Sequence, residues 1–308
     1  MQLQAIFYNQ AIDNYLDEMM SPELKPNDQP YKRGKHYTGK EHVWDEAFGY
    51  WGAAAHGLNL TAKQNYDLAK MRDMEAADYD KDDLVDLKSE MNFSHAYYAA
   101  AYDKGGKTDY YRTVTQAFVD GRKIIADANG EKLSPEAHQK LAELVKIIES
   151  NWEKVIAESV FKYAGSVYKD LDQLHSHTVS HDKAHADYAK HWGELKGFAM
   201  TLQLGKSHQG QAGALLNKLT GFGPVVHDSS WILGDPHVHV TGIDAKGDYT
   251  MGLAPSWEEY KLHMLEIQKL MIDEYGVKAR VNDMLADMPS LKSELSNSGD
   301  SHYKHHTH

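Results

Sequence analysis

Along the first twenty residues Leu3, Ile6, Phe7, Ala11, Tyr15 and Leu16 recur near helical spacing, which predicts an amphipathic helix over 3–20. Pro22, Pro26 and Pro30 make 21–34 a loop. Thr38 and Glu41 then have the spacing of a capping box, so a helix is expected over about 41–56. Thr61 and Gln64 repeat that signal. The pattern next predicts helices over 84–104, ending at Gly105-Gly106, and 109–128, ending at Asn129-Gly130. Ser134-Pro135 is an N-cap with proline at the first helical position. The stripe after it, from Leu141 through Trp152 to Ile156, predicts a long helix reaching about Leu174. A further helix is expected over 182–203, with a break at Gly221–Pro224. Residues 238–251 alternate about Ala245-Lys246-Gly247-Asp248, as in a β-hairpin. The last long helix opens at Ser256-Trp257-Glu258-Glu259 and runs to about Tyr275. From Pro289 the polar, His-rich composition reads as a disordered tail.

These elements make an all-α chain of two helical bundles with a small β-hairpin inserted. The expected divisions are an N-terminal bundle over 1–131, a C-terminal bundle over 132–288 and a tail over 289–308.

Composition narrows the function. The 308 residues carry 33 basic and 45 acidic side chains, a net charge of −12, which argues against a nucleic-acid-binding face. There is no cysteine, so disulfides and iron–sulfur clusters are excluded. No apolar run approaches the roughly 20 residues of a membrane-spanning helix, and no signal peptide is recognisable at Met1–Met20. The acidic stretch from Asp73 to Asp86 reads as a solvated loop or helix end, its spacing fitting no EF-hand.

The candidate chemistry lies on the helix after Thr38. His42, Asp45 and Glu46 stand at i, i+3 and i+4 and share a face. Trp44-x-Glu46-x-x-Gly49-Tyr50 is echoed by Trp192-x-Glu194-x-x-Gly197-Phe198, each with a His nearby, His42 and His191. The echo suggests a duplication whose halves face each other, bringing Glu46 near Glu194. His42, Asp45, Glu46, His191 and Glu194 thus form a candidate metal set for Fe, Zn or Mn. The competing reading is a polar network, with His42 bonded to a carboxylate, Glu46 paired to a buried Arg122, and Glu41 serving as a cap. Arg122 is one of five Arg against 28 Lys and sits in an apolar helix. Trp44, Trp192, Tyr50 and Phe198 read as core, and Gly49 and Gly197 as points of close helix approach. A second metal candidate is the ladder His177, His181 and His185, with His175 flanking; His237-x-His239 and the tail His302, His305, His306 and His308 are weaker. HExxH, a Ser/His/Asp set and a phosphate loop are all missing, so no nucleotide is expected.

The stretch Glu41–Tyr50 resembles the signature of the DUF4856 proteins, a branch of the imelysin-like superfamily. Gly121-Arg122-Lys123-Ile124-Ile125, Trp152–Ala157 and His191–Phe198 resemble it too, and the resemblance runs over about residues 4–280. It implies duplicated all-α bundles exported to the bacterial periplasm or tethered to the envelope as a lipoprotein, with an export signal ahead of the first bundle. It also implies a link to iron uptake. Imelysin relatives were once classed as metallopeptidases on a Gly-x-His-x-x-Glu motif. Here Gly34-Lys35-His36 supplies its first half, but Gly39 stands where the glutamate belongs. The leading expectation is a non-catalytic envelope protein that binds a divalent or ferric metal ion or a small ligand, with an envelope protein as partner. The alternatives are a metal-dependent hydrolase with Glu46 or Glu194 as general base, and a structural module whose polar centre fixes bundle register.

Overall fold

A computed structural model describes residues 2–176, 181–205, 210–226, 229–230, 238–253 and 255–302. The chain is all-α. Its helices are α1 (Gln2–Asn9), α2 (Gly39–Trp51), α3 (Ala62–Ala69), α4 (Met74–Ala77), α5 (Ser94–Asp103), α6 (Tyr110–Asp127) and α7 (Pro135–Ser176), followed by α8 (His181–Leu202), α9 (Gln211–Thr220), α10 (Trp257–Tyr275) and α11 (Met288–His302). The short strands β1 (Val225–Val226) and β2 (Ser229–Ser230) pair, and β3 (Val238–Ile243) pairs antiparallel with β4 (Tyr249–Leu253). The β3–β4 hairpin is the expected insertion. Asp244 Oδ1 accepts the Lys246 and Asp248 N–H groups in its turn, and Gly247 supplies a φ of +90°. Among the described residues no helix is long and apolar enough to cross a membrane.

The chain divides into two compact units, 2–156 and 157–308. The division falls inside α7 and not in the 129–135 turn, because the first half of α7 packs with the first unit. There Trp152 meets Trp51 at 4.9 Å and Tyr8 at 5.7 Å between ring centroids, both edge-on, and buried His95 stands 5.4 Å away. Residues 135–156 therefore belong with the helices before them.

In the first unit α2 is held at both ends. Thr38 and Glu41 form the expected capping box, and Gly52 closes the helix in the left-handed region at φ +86°. Lys40, Val43, Trp44, Ala47 and Trp51 are buried, so the opposite face, with His42, Asp45 and Glu46, is left towards solvent. Trp44 Nε1 donates to Phe118 O at 2.8 Å, and a Cβ on Gly121 would lie 2.0 Å from the Trp44 ring. Glycine at 121 thus lets α6 approach α2.

Three expected helices are shorter than their patterns, and the one read over 41–56 ends at Trp51, where Gly52 caps it. The 3–20 helix stops being regular after Asn9, continuing as a π-helical stretch over Gln10–Tyr15 and a 3-10 turn over Glu18–Met20. The buried ammonium of Lys40 takes the carbonyls of Met19, Ser21 and Leu24, each at 2.8 Å, which draws the chain out of helix. The 84–104 helix begins only at Ser94. Its first ten positions spend their backbone groups elsewhere: Asp86 N–H on Glu90, Ser89 O on Ala55 and Phe93 N–H on Gly52.

In the second unit Phe161, Tyr188, Phe198, Tyr260 and Met271 are core. The buried Glu158 carboxylate accepts the N–H groups of Lys278, Ala279 and Arg280 at 2.7–3.1 Å. The expected disordered tail over 289–308 is corrected over 289–302, which lies in α11. Pro289 occupies its first turn, where a missing N–H is tolerated, and Leu291 is buried. His305, His306 and His308 lie outside the described residues.

Candidate ligand cleft

The outward face of α2, with Arg122 from α6, borders an open cleft of about 730 Å³. Its lining is Tyr37, His42, Asp45, Glu46, Gly49, Tyr50 and Arg122. All three α2 residues picked out by their spacing therefore border one cavity.

His42 bonds to a carboxylate and Arg122 pairs with carboxylates, as the polar-network reading expects, but the arginine's partners are different ones. Arg122 is half-buried rather than buried, and it bridges two carboxylates, Nη1 to Glu41 Oε1 at 2.9 Å and Nε to Asp45 Oδ1 at 2.8 Å. Glu41 does double duty, because its Oε2 also accepts the Thr38 N–H of the capping box at 2.7 Å. Glu46 is not the arginine's partner. It pairs with His42, Nε2 to Oε1 at 3.2 Å, and accepts the Tyr15 hydroxyl. Burial, then that carboxylate, pushes the Tyr15 hydroxyl up to about 12. Asp45 is held above the usual carboxylate range by desolvation, with Arg122 opposing and Glu41 adding repulsion.

Aromatic rings wall the cleft. Tyr37 and His42 stack at 5.8 Å, Tyr31 lies 3.6 Å from His42, and Tyr31 stacks on Tyr37 at 6.0 Å. Tyr50 is backed by Tyr15 at 5.9 Å and Phe7 at 5.4 Å, so it is part of the cleft rather than core. Gly49 is not a point of helix approach: a Cβ there would meet nothing within 4 Å, and the residue opens onto the cavity. Gly39 is the tight one, where a Cβ would lie 2.9 Å from the Lys25 backbone, leaving no room for the glutamate of the peptidase motif.

The downstream echo has other partners. His191 Nδ1 bonds to Asp170 Oδ2 at 2.7 Å rather than to Glu194, and Trp192 Nε1 donates to the Tyr260 hydroxyl at 2.8 Å. Trp192 and Glu194 are half-buried, and Phe198 is core. His191 and Glu194 belong to the second unit, His42, Asp45 and Glu46 to the first. Of the His ladder, His177 lies outside the described residues; so do His237 and the tail imidazoles after His302. His185 is half-buried on α8.

Among the described residues, one group of three carboxylate or imidazole ligands converges within 4.8 Å: Asp78, Asp80 and Asp82. His42, Asp45 and Glu46 do not converge that closely. The acidic stretch is the exposed loop its composition predicts, held by hydrogen bonds of its own. Asp78 accepts the N–H groups of Asp82 and Asp83, and Asp82 accepts that of Leu84. Lys81 and Asp83 turn through the left-handed region at φ +61° and +68°. The spacing Asp78-x-Asp80-x-Asp82 is that of the first three ligands in a twelve-residue calcium loop. Glu90 falls one place beyond the last ligand of such a loop. Its buried carboxylate is turned onto the loop backbone, accepting the N–H groups of Tyr79, Asp80 and Asp86. These are oxygens of the kind that hold hard cations.

Sequence reasoning missed Tyr37 in the cleft, Tyr15 as the partner of Glu46 and Asp170 behind His191. None shares an element with its partner, so no local spacing reports it. No family model, no curated protein and no solved structure matches this chain.

Proposed function

We propose that this chain is a non-catalytic binding protein of the bacterial envelope, and that its ligand is a cation held in the α2–α6 cleft. One observation carries the reading. Asp45 shares the Arg122 guanidinium with Glu41, whereas the Glu46 carboxylate borders the same open cavity with Tyr15 and His42 as its partners and no arginine. The envelope location, any lipid anchor and a link to iron uptake rest on the imelysin-like resemblance alone.

A transition-metal ion such as iron or zinc is the cation that resemblance implies. His42 Nε2 and Glu46 Oε1, 3.2 Å apart, would supply two donors, with the Tyr15 hydroxyl next to them. A metal-dependent hydrolase has less support, because Glu46 would be spent as a ligand and no other carboxylate of the lining stands free to act as a base. A structural reading has one observation in its favour: the Glu41–Arg122–Asp45 bridge ties α2 to α6.

The test is metal analysis of the purified chain, followed by calorimetric titration with Zn²⁺, Mn²⁺ and Fe²⁺. A stoichiometric site lost in His42→Ala is expected for the metal form of the proposal. Full affinity in that variant moves the ion elsewhere, most plainly to the His177 ladder. Metal-dependent turnover of a peptide library, abolished by Glu46→Gln in a folded protein, would replace binding with hydrolysis.

A further inference from the structure

We propose that the cleft takes an organic ammonium compound, an amine or quaternary ammonium ion, rather than a bare metal ion. This rests on the reading of the cleft as the ligand site and concerns which cation fills it.

Size is the first argument. A metal ion needs a coordination shell, not a cleft of about 730 Å³; that volume lies within the range of small-molecule sites, about 300–1,000 Å³. The second is the donor set. The three α2 side chains fail to converge as ion ligands, with Asp45 turned to Arg122 and Glu46 to His42.

Charge and walls then define the ligand. The lining holds two carboxylates and one guanidinium, and the guanidinium is shared with Glu41 outside the lining. One negative charge is therefore left over at the Glu41–Asp45 pair and another at Glu46, which has no arginine partner and lines the cleft together with Tyr37 and Tyr50. An ammonium group is attracted both to a carboxylate and to the face of an aromatic ring, and its alkyl substituents pack on the ring. The chain's own ammonium groups already behave this way at the edge of the cleft. Lys35 Nζ lies 5.9 Å from the Tyr37 centroid, and Lys32 and Lys25 lie 4.9 and 5.3 Å from that of Tyr31. Gly49 keeps a side chain out of the space next to Tyr50.

The experiment uses the full chain after chelator treatment. Tetramethylammonium, choline and putrescine are titrated calorimetrically, with 3,3-dimethyl-1-butanol as the neutral isostere of choline and Zn²⁺ as a parallel arm. Saturable 1:1 binding of at least one ammonium compound is expected, with the isostere at least about tenfold weaker, as for loss of a charged contact. Glu46→Gln should weaken binding by about tenfold or more, and Tyr50→Leu by several-fold. Gly49→Leu places a side chain in the cavity from a position whose Cβ meets nothing, so it should abolish binding in a protein whose far-UV circular dichroism matches the parent and whose thermal midpoint is equal or higher. Zn²⁺ binding without ammonium binding overturns this inference and leaves the ion reading standing. No binding of either kind removes both. Ammonium binding that survives Gly49→Leu and Glu46→Gln unchanged puts the site elsewhere and overturns the inference.

Discussion

Gly121→Ala and Gly49→Ala are the same substitution on two packed helices, and they should shift stability in opposite directions. In a helix interior, replacing glycine by alanine is worth about 0.8–1.0 kcal/mol from propensity alone. At Gly121 that gain meets an obstacle. The new Cβ would lie 2.0 Å from Cζ2 of Trp44, 2.6 Å from Cη2 and 2.8 Å from Cε2. Trp44 is buried, its indole N–H is held by Phe118 O, and its ring rests edge-on against Phe118 at 5.8 Å. Overpacking of this kind costs about 1–3 kcal/mol, and losing the indole hydrogen bond adds about 0.5–1.5 kcal/mol. The net result is a loss of about 0.5–4 kcal/mol. At Gly49 the Cβ meets nothing, so Ala should stabilise by about 0.5–1 kcal/mol. Urea unfolding followed by tryptophan fluorescence and far-UV circular dichroism measures both, with unchanged slopes taken as the sign of a pure stability effect. A Gly121→Ala midpoint at or above the parent's would refute the claim that the indole fixes the spacing of α2 and α6. A Gly49→Ala midpoint below the parent's would show that this face of α2 is closed, and would remove the open cleft.

Arg122→Met should cost only about 1 kcal/mol, since the side chain is 34% exposed and each exposed pair is worth about 0–1 kcal/mol. The loss should shrink at about 1 M salt, and equal midpoints for parent and variant at low salt would show that the bridge adds nothing. His95 is fully buried among Tyr8 and Trp152, and burial holds its imidazole down at about 3. An unfolded imidazole titrates near ~6.5, so between that value and about 3 the unfolded chain binds the extra proton and stability falls as pH drops. The slope is at most about 1.4 kcal/mol per pH unit. His95→Leu should flatten this limb in urea midpoints taken from about pH 7 to about pH 4, and an unchanged slope would assign the acid sensitivity to other groups.

Much of the fold was legible because its signals are local. The capping boxes at Thr38, Thr61 and Ser256 each open a helix in the structure, and Ser134-Pro135 opens α7. The spacing of His42, Asp45 and Glu46 correctly put them on one face. What failed was whatever depended on partners from another element. Arg122 chose Glu41 and Asp45 over Glu46, and Tyr15, the partner of Glu46, comes from a π-helical stretch that a smooth apolar period had hidden. The acidic segment is the exposed loop its composition predicts, and what the sequence did not report is its internal bonding. Glu90 is one place late for a calcium loop, and only the fold shows it occupied with backbone N–H groups.

The repeated Trp-x-Glu-x-x-Gly pattern illustrates the limit most clearly. A seven-residue echo reports which face of a helix is inward and which outward. It does not report what the inward face meets. Trp44 is buried and reaches a backbone carbonyl on α6, whereas Trp192 is half-buried and reaches the hydroxyl of Tyr260, which in turn donates to Thr220 O. His42 bonds to the glutamate one turn ahead of it, whereas His191 bonds back across 21 residues to Asp170 on α7. The two copies share a helical phase and differ in every polar partner. Chemistry inferred for one copy therefore does not transfer to the other by pattern alone. In the cleft on α2 and α6 the carboxylate without an arginine partner is Glu46, and its bonds to His42 and Tyr15 have no counterpart in the pattern around Glu194.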